Sequence, residues 1–534
     1  MDSVTPAAWN SCGLQEYRRM DTFVIGHPSQ GKPWDYVRRS SFVETPHVSS
    51  TPALKPRIDV SWQAKLSMFI TTLLHYLARI SKVTGKFVEY ILNVFYINGG
   101  FIKVCNKILA GEFLVMPVEG SENYWSIVGM LDPRLELMTE SSDDQKLQKS
   151  EGSSFFEVVP GSKVVADVCI MASKLAYENP AVVNKVVTQI WKMCLVNVFE
   201  CINKNQENNP TQVFLFMDAP QDAGAIVVTF RGTMPFNAYD WSTDFDFSWY
   251  HLPGVGRIHV GFMEALSLVD RHDMESFTRL KKHSYQNVQG KERVTSGLPE
   301  AKNEDRKLSL AYDSTKDKLK ELVKANKSAK VYITGHSLGG ALATVFTAML
   351  FYNKEDSVTE RIAGVYTFGQ PRVGDIDFAD YMDEKLNDPV NRYFRIVYSN
   401  DIVPRIPFDD IFFQFKHFGL CFYFDHNYTA KTLLEEPNKN FSIKYFIVTR
   451  ITAAWELILS FRRSYLHGSQ FKEAMASRVL RVAGLFFPGI VDHNPVNYVN
   501  SIRLGPRVLH TEVHMQKLLE LLRMHGYTKM DISQ

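Results

Sequence analysis

The sequence predicts an α/β fold on a mostly parallel central sheet, and two observations carry that prediction. Between residues 150 and 534, short β-branched or aromatic runs alternate with helical patterns, the mark of strands and helices layered on one sheet. Within this region, Val331-Tyr-Ile-Thr-Gly-His-Ser-Leu-Gly-Gly-Ala-Leu-Ala343 reads as a strand, a tight turn and a helix. Ser337 lies at the apex, and Gly335, Gly339 and Gly340 are the small neighbours such a turn needs. This is the G-x-S-x-G nucleophile elbow, which lifts a serine hydroxyl clear of a parallel sheet at a helix N-terminus. Five residues alone are a weak pattern; the apolar run before and the Ala-rich helix after make it specific.

The chain has 534 residues and reads as one large domain with additions. Hydrophobic residues make up 45%, ample for a core, and aromatics an unusually heavy 13%. A net charge of +2 gives no reason to expect nucleic acid. Cys12, Cys105, Cys169, Cys194, Cys201 and Cys421 are scattered. They show neither metal-ligand spacing nor a compact disulfide framework, so no metal and a reducing compartment are expected. Met1 to Met20 is polar and lacks the apolar core of a signal peptide, so the expectation is a protein that is not secreted.

Residues 1–56 are rich in Pro, Ser and Arg, without apolar periodicity, and read as a flexible tail. Residues 57–149 read as a separate region. In it Trp62, Leu66, Phe69, Ile70, Leu73 and Leu77 share one helical face, opposite Lys65, Thr72, His75 and Arg79. A second apolar stretch, Phe87 to Ile102, follows a short connector, Ser81 to Lys86. From Arg57 to Leu109 there are seven Lys/Arg against two acids. No apolar run reaches the roughly 18 to 20 residues of a membrane span. A basic amphipathic segment of this kind suits lying in a lipid interface.

The catalytic region is expected over residues 150–534. Val213–Met217, Ala225–Phe230, Val331–Thr334, Ala363–Phe368 and Tyr393–Tyr398 read as strands, and Leu338–Phe351 and Phe378–Leu386 as helices. The charged segment of about 270–308 reads as a solvated insertion.

A serine hydroxyl needs a base, and the base a carboxylate to orient it. In α/β-hydrolases these follow the serine as acid, then histidine. Asp401, just past the strand ending near Ser399, is placed to reach the sheet edge where the elbow emerges. Asp375 competes, but reads better as a turn or cap residue. The histidine stays open on spacing alone. His417 and His426 are close to Asp401; His510, His514 and His525 fall in a helical pattern; His467 also follows; His493 sits in a loop after an apolar run.

The chain resembles the class 3, fungal-type triacylglycerol lipases. The resemblance rests on the elbow, Thr367-Phe-Gly-Gln-Pro-Arg-Val-Gly-Asp375, Asn400-Asp-Ile-Val-Pro-Arg405, Phe230-Arg-Gly-Thr233 and His259-Val-Gly-Phe262, in family order. It is closest to the plant oil-body lipases, which share the lipophilic N-terminal region and the His493 to Gly505 ending. The resemblance implies an α/β-hydrolase fold with His493 as the base, since the family's late histidine precedes a tyrosine by five residues, here Tyr498. The elbow itself offers one oxyanion donor, the Leu338 N–H. The resemblance implies the other at Thr233. It implies a lid over about 234–252, carrying Phe236, Tyr239, Trp241 and Phe245.

The function implied is a serine esterase of triacylglycerols at a lipid–water interface, needing no cofactor. Residues 57–109 would hold it on a lipid droplet or on the cytosolic face of the endoplasmic reticulum. A phospholipase A1 or galactolipase would use identical chemistry. A non-catalytic lipase-like interaction protein is disfavoured, because every triad position is filled. One departure from compact family members is the distance from Asp401 to His493. It holds an apolar insertion of about 409–488, expected as a second lipid-contacting surface or a cap over the acyl pocket.

Overall fold

The computed structural model describes residues 22–23, 62–138, 161–201, 211–234, 248–271, 273, 275–280, 310–409, 414–440, 445–466, 475–486 and 488–506. Eight strands form the central sheet. They are β1 (Cys194–Cys201), β2 (Thr211–Met217), β3 (Ala225–Phe230), β4 (Lys330–His336), β5 (Ile362–Phe368), β6 (Tyr393–Tyr398), β7 (Cys421–Phe424) and β8 (Ala430–Leu433). Helices α1 (Trp62–Ile97) and α2 (Lys163–Leu175) precede the sheet, and α3 (Leu338–Tyr352) follows β4. Four more come late: α4 (Phe446–Leu466), α5 (Met475–Gly484), α6 (Pro488–Asp492) and α7 (Pro495–Leu504).

The spatial order is β8-β7-β6-β5-β4-β3-β2-β1. Strands β3 to β7 run parallel, with β1, β2 and β8 joined antiparallel at the two edges. The parallel strands read as unbroken apolar runs because both faces are covered. Val228, Phe230, Val331, Ile333 and Val365 face the core under α3. Val227, Tyr332, Tyr366, Phe368 and Phe394 face the opposite core with α2 and α7. The register pairs Phe230 with Gly335, His336 with Phe368, Phe368 with Ile396, and Tyr398 with Phe424. The carboxyl ends therefore align, and Thr233, Ser337 and Asp401 all emerge along one edge, where open α/β sheets build their sites.

Several expected boundaries differ. The connector expected over Ser81–Lys86 is helical, and α1 runs unbroken for 36 residues. A single glycine costs a helix only about 1 kcal/mol, and Gly85 is buried. The break comes instead at Gly99-Gly100, both at positive φ (84° and 100°). Residues 124–138, expected in the N-terminal region, pack into the catalytic core. Trp125 lies in the core with α2, Ser126 donates to the buried Glu178 through N–H and Oγ–H at 2.8 and 2.6 Å, and Arg134 bonds Asn500 Oδ1 at 2.8 Å. Part of the region expected over 57–149 therefore packs with the catalytic body.

The segment of about 409–488 is also two things. Its first half gives β7 and β8 to the sheet; four-residue strands are too short for a periodic signal. Its second half is α4 and α5. Trp249–Leu252, inside the expected lid range, is a buried strand paired with Gly256–His259. Two rings in that range, Trp249 and Tyr250, therefore belong to the fixed body. Most of the charged insertion of about 270–308, and nearly all of the tail, lie outside the described residues.

Candidate active site

Ser337 sits between β4 and α3 with φ 59° and ψ −135°. A residue other than glycine held there stores roughly 1–3 kcal/mol of strain, and close packing maintains it. A Cβ on Gly339 would overlap the Phe230 carbonyl, and one on Gly335 would overlap the Gly339 backbone. The Ser337 N–H donates to the Phe368 carbonyl at 2.8 Å. The turn thus wedges the hydroxyl against the ends of β3 and β5.

His493 lies in the turn between α6 and α7. Its Nε2 is 2.7 Å from Ser337 Oγ, and its Nδ1 is 2.8 Å from Asp401 Oδ2. A carboxylate can only accept, so Nδ1 carries the proton and Nε2 presents its lone pair to the serine O–H. Asp401 is fully buried. Its Oδ1 accepts from the Val403 N–H at 2.9 Å, and its Oδ2 also accepts from the Tyr498 O–H. Burial, then the facing Asp401 carboxyl, pushes the Tyr498 phenol well above its usual pKa, so it stays a donor. These bonds fix the carboxylate in a dry site, where each counts for more than in water.

The sequence model of the family Lipase (class 3) matches residues 227–411, the stretch from β3 through the Asp401 loop. Triacylglycerol lipase OBL1 of Nicotiana tabacum is 41% identical over 484 residues, 84% of this chain and 84% of that protein. The chain belongs to the class 3 lipase family. Triacylglycerol lipase OBL1 of Arabidopsis thaliana is 39% identical, over 88% of this chain and 91% of its own length. Among solved structures, a lipase from Rhizopus microsporus var. chinensis is 22% identical, with a TM-score of 0.32, over 60% of this chain and 86% of that one.

In this class 3 lipase a second imidazole braces the first. His336 Nε2 is 2.9 Å from the His493 backbone carbonyl, and its Nδ1 is 2.8 Å from the Tyr177 hydroxyl. The carbonyl requires a donor, so Nε2 carries the proton and Nδ1 accepts from Tyr177. Burial, then the neighbouring His493, holds the His336 pKa well below the usual histidine value. It therefore stays neutral, and its ring lies 4.6 Å from the His493 ring, centroid to centroid. Arg405 ties the acid loop by donating to the carbonyls of Asp401, Ser399 and Pro437.

Thr233 is buried in the loop just past β3. It follows Gly232, on which a Cβ would press within 3.0 Å of Ser337 Cβ. Leu338 opens α3, where first-turn N–H groups have no intrahelical acceptor. Asp375 caps the helix Ile376–Asn387, accepting from Phe378 N–H at 3.1 Å. His417 turns its Nε2 to the Pro404 carbonyl at 2.7 Å, and His426 lies on an exposed loop beside Asn427. His467, His510, His514 and His525, and the lid residues Phe236, Tyr239, Trp241 and Phe245, lie outside the described residues. Sequence reasoning gave no role to Tyr177 or His336. His336 is the chain neighbour of Ser337, a local signal, but nothing local points to Tyr177, which reaches the site only through folding.

Proposed function

We propose that this lipase hydrolyses acyl esters of triacylglycerols at a lipid–water interface and releases free fatty acids. One observation carries the reading: Ser337 Oγ, His493 and Asp401 in hydrogen-bonded line at the sheet edge. Similarity to relatives named triacylglycerol lipase over most of the chain supports the substrate class. His493 Nε2 takes the Ser337 proton as Oγ attacks the ester carbonyl. Asp401 holds Nδ1–H and stabilises the imidazolium. The amides of Thr233 and Leu338 receive the oxyanion; one such donor is worth about 3–4 kcal/mol. The glyceride alcohol leaves with the proton from His493. Water, deprotonated by the same nitrogen, then frees the fatty acid and restores Ser337 O–H. Every step uses side chains, backbone and water.

Residues 57–109 hold the enzyme on its substrate. Helix α1 turns Phe69, Leu73, Ile80, Val83 and Phe87 outward, as an interfacial helix does. Among the described residues no helix is long and apolar enough to cross a membrane. The surface in question is that of a lipid droplet or the cytosolic face of the endoplasmic reticulum, and the lid expected over about 234–252, short of the fixed strand Trp249–Leu252, gates access to Ser337. The test is purified protein assayed on emulsified triolein, phosphatidylcholine and galactolipid. Fatty-acid release fastest from triolein is expected; a clear preference for either polar lipid would replace the reading with a phospholipase or galactolipase. A fluorescent fusion lacking 57–109 should leave droplets for the cytosol, and unchanged droplet labelling would refute the anchor.

A further inference from the structure

Helices α4 and α5 are built inside out. On α4 the side chains turned into the protein are Thr449, Ala453, Glu456 and Ser460, all buried. On the opposite face stand Ile447, Ile451, Trp455, Ile458, Phe461 and Tyr465, from 50% to 89% exposed. At 100° per residue these six fall within one stripe about a third of the circumference wide. The pattern repeats on α5: Ser477 and Arg481 are buried, while Val479 and Val482 are exposed. A helix in water turns its apolar stripe inward. A face this size left outward marks an interaction surface.

The inward faces are held by a polar network. Arg481 pairs with Glu456 at 3.1 Å and donates to Asn497 Oδ1 of α7 at 2.8 Å. Asp492, the residue before His493, accepts from the Asn400 N–H at 2.9 Å, the residue before Asp401. The Ile402 N–H donates to the Gly489 carbonyl at 3.1 Å. The apolar face continues through Phe486 to Ile490, both exposed, which ends it three residues from His493.

We infer that α4, α5 and the start of α6 form a second lipid-docking face, beside the catalytic histidine, for an acylglycerol surface coated with anionic phospholipid. Charge chooses this occupant. Apart from the buried Arg481–Glu456 pair, the two helices carry Arg450, Arg462, Arg463 and Arg478 and no acid. Such a face attracts anionic headgroups and repels a second copy of itself. Trp455 and Tyr465 suit the boundary between headgroups and acyl chains. Continuity with the His493 loop puts the docked surface where an acyl ester must arrive. The inference rests on the lipase reading above and adds where the oil surface meets the enzyme.

The test pairs the full-length protein with Ile451→Ser/Ile458→Ser/Phe461→Ser. Flotation with triolein droplets coated in phosphatidylcholine and phosphatidylserine reads binding, and hydrolysis of soluble p-nitrophenyl butyrate reads the site. Droplet affinity should fall at least about tenfold, since three apolar side chains no longer enter the acyl layer, with soluble-ester kcat/KM within about twofold. Omitting phosphatidylserine should weaken wild-type flotation severalfold. In case the triple variant folds poorly, Trp455→Phe gives a second reading: brominated phosphatidylcholine should quench a fluorescence component in wild type that this conservative variant lacks. Equal flotation of wild type and triple variant, or equal quenching with and without Trp455, overturns the inference. So does a wild-type dimer that the triple variant abolishes while flotation stays the same. A wild type that floats but cleaves no ester would instead sink the lipase reading and leave the docking face standing.

Discussion

The central sheet and helix α4 follow opposite rules with similar residues. Ile333 in β4 is fully buried between two layers, whereas Ile80 of α1 and Ile451 of α4 are about two-thirds exposed. Polar groups invert as well. Around the sheet edge Ser337, His493 and Asp401 are buried in one hydrogen-bonded line, and behind α4 Glu456 and Arg481 are buried as an ion pair. The difference teaches that burial alone does not divide structure from function here. The sheet excludes water to hold a geometry; the outer helices leave apolar side chains exposed, as the proposed lipid contact requires.

Five measurements would break or sharpen this contrast, and the largest effect belongs to the buried polar line. Ser337→Ala should lower turnover on any ester about a millionfold, with an unchanged circular dichroism spectrum; retained hydrolysis would remove the sheet edge as the site. Next comes the sheet itself. Ile333→Ala should cost about 2–5 kcal/mol of unfolding free energy, through lost burial and the cavity left behind, read from urea midpoints. A cost near zero would mean that the core repacks freely.

Tyr498→Phe removes a donor from the Asp401 carboxylate. A hydrogen bond to a charged acceptor is worth about 1.5–3 kcal/mol, so kcat on a soluble ester should fall roughly ten- to hundredfold, and full activity would show that His493 and Val403 position the acid unaided.

The fourth measurement is of pH. His417 is buried, and burial, then the nearby Arg395, holds its pKa well below the ordinary value. The unfolded chain binds a proton there below about pH 6.5 and the folded chain does not. Its stability contribution is therefore present above that pH and lost as pH falls, by about 1.4 kcal/mol per unit. His417→Gln, which can still donate to the Pro404 carbonyl, should flatten the loss between pH 6.5 and 5 by that slope; parallel curves would mean that this histidine charges in the folded state.

The smallest effect is expected at Ile80→Ala on α1. It should leave stability within about 0.5 kcal/mol while weakening partition onto triolein droplets. A destabilisation like that of Ile333→Ala would show that this face packs on protein.

The local pattern held a great deal. Strands β2 to β6, the elbow and the helix after it were readable because each is a run of neighbours with its own periodicity and turn chemistry. Asp401 was readable because a strand's carboxyl end sets where the next residue points. Strands β7 and β8 escaped because Cys421–Phe424 and Ala430–Leu433 are four residues each, too short to show a period. The unbroken α1 was missed at Ser81–Lys86 because middling helix propensities do not stop a helix that packing supports.

By itself the sequence determined the layered α/β plan, the tight turn at Ser337 and the basic, amphipathic N-terminal segment, since these depend on residues close together along the chain. Spacing left the histidine open and only the resemblance named His493; the tertiary structure sets it against Ser337, and it alone decided that Tyr177 and His336 brace it and that α4 carries its apolar stripe outward. Those facts join positions from tens to well over a hundred residues apart, and such contacts exist only once the chain has closed on itself. Amphipathicity shows that a helix has two faces; what packs against it decides which one meets the protein.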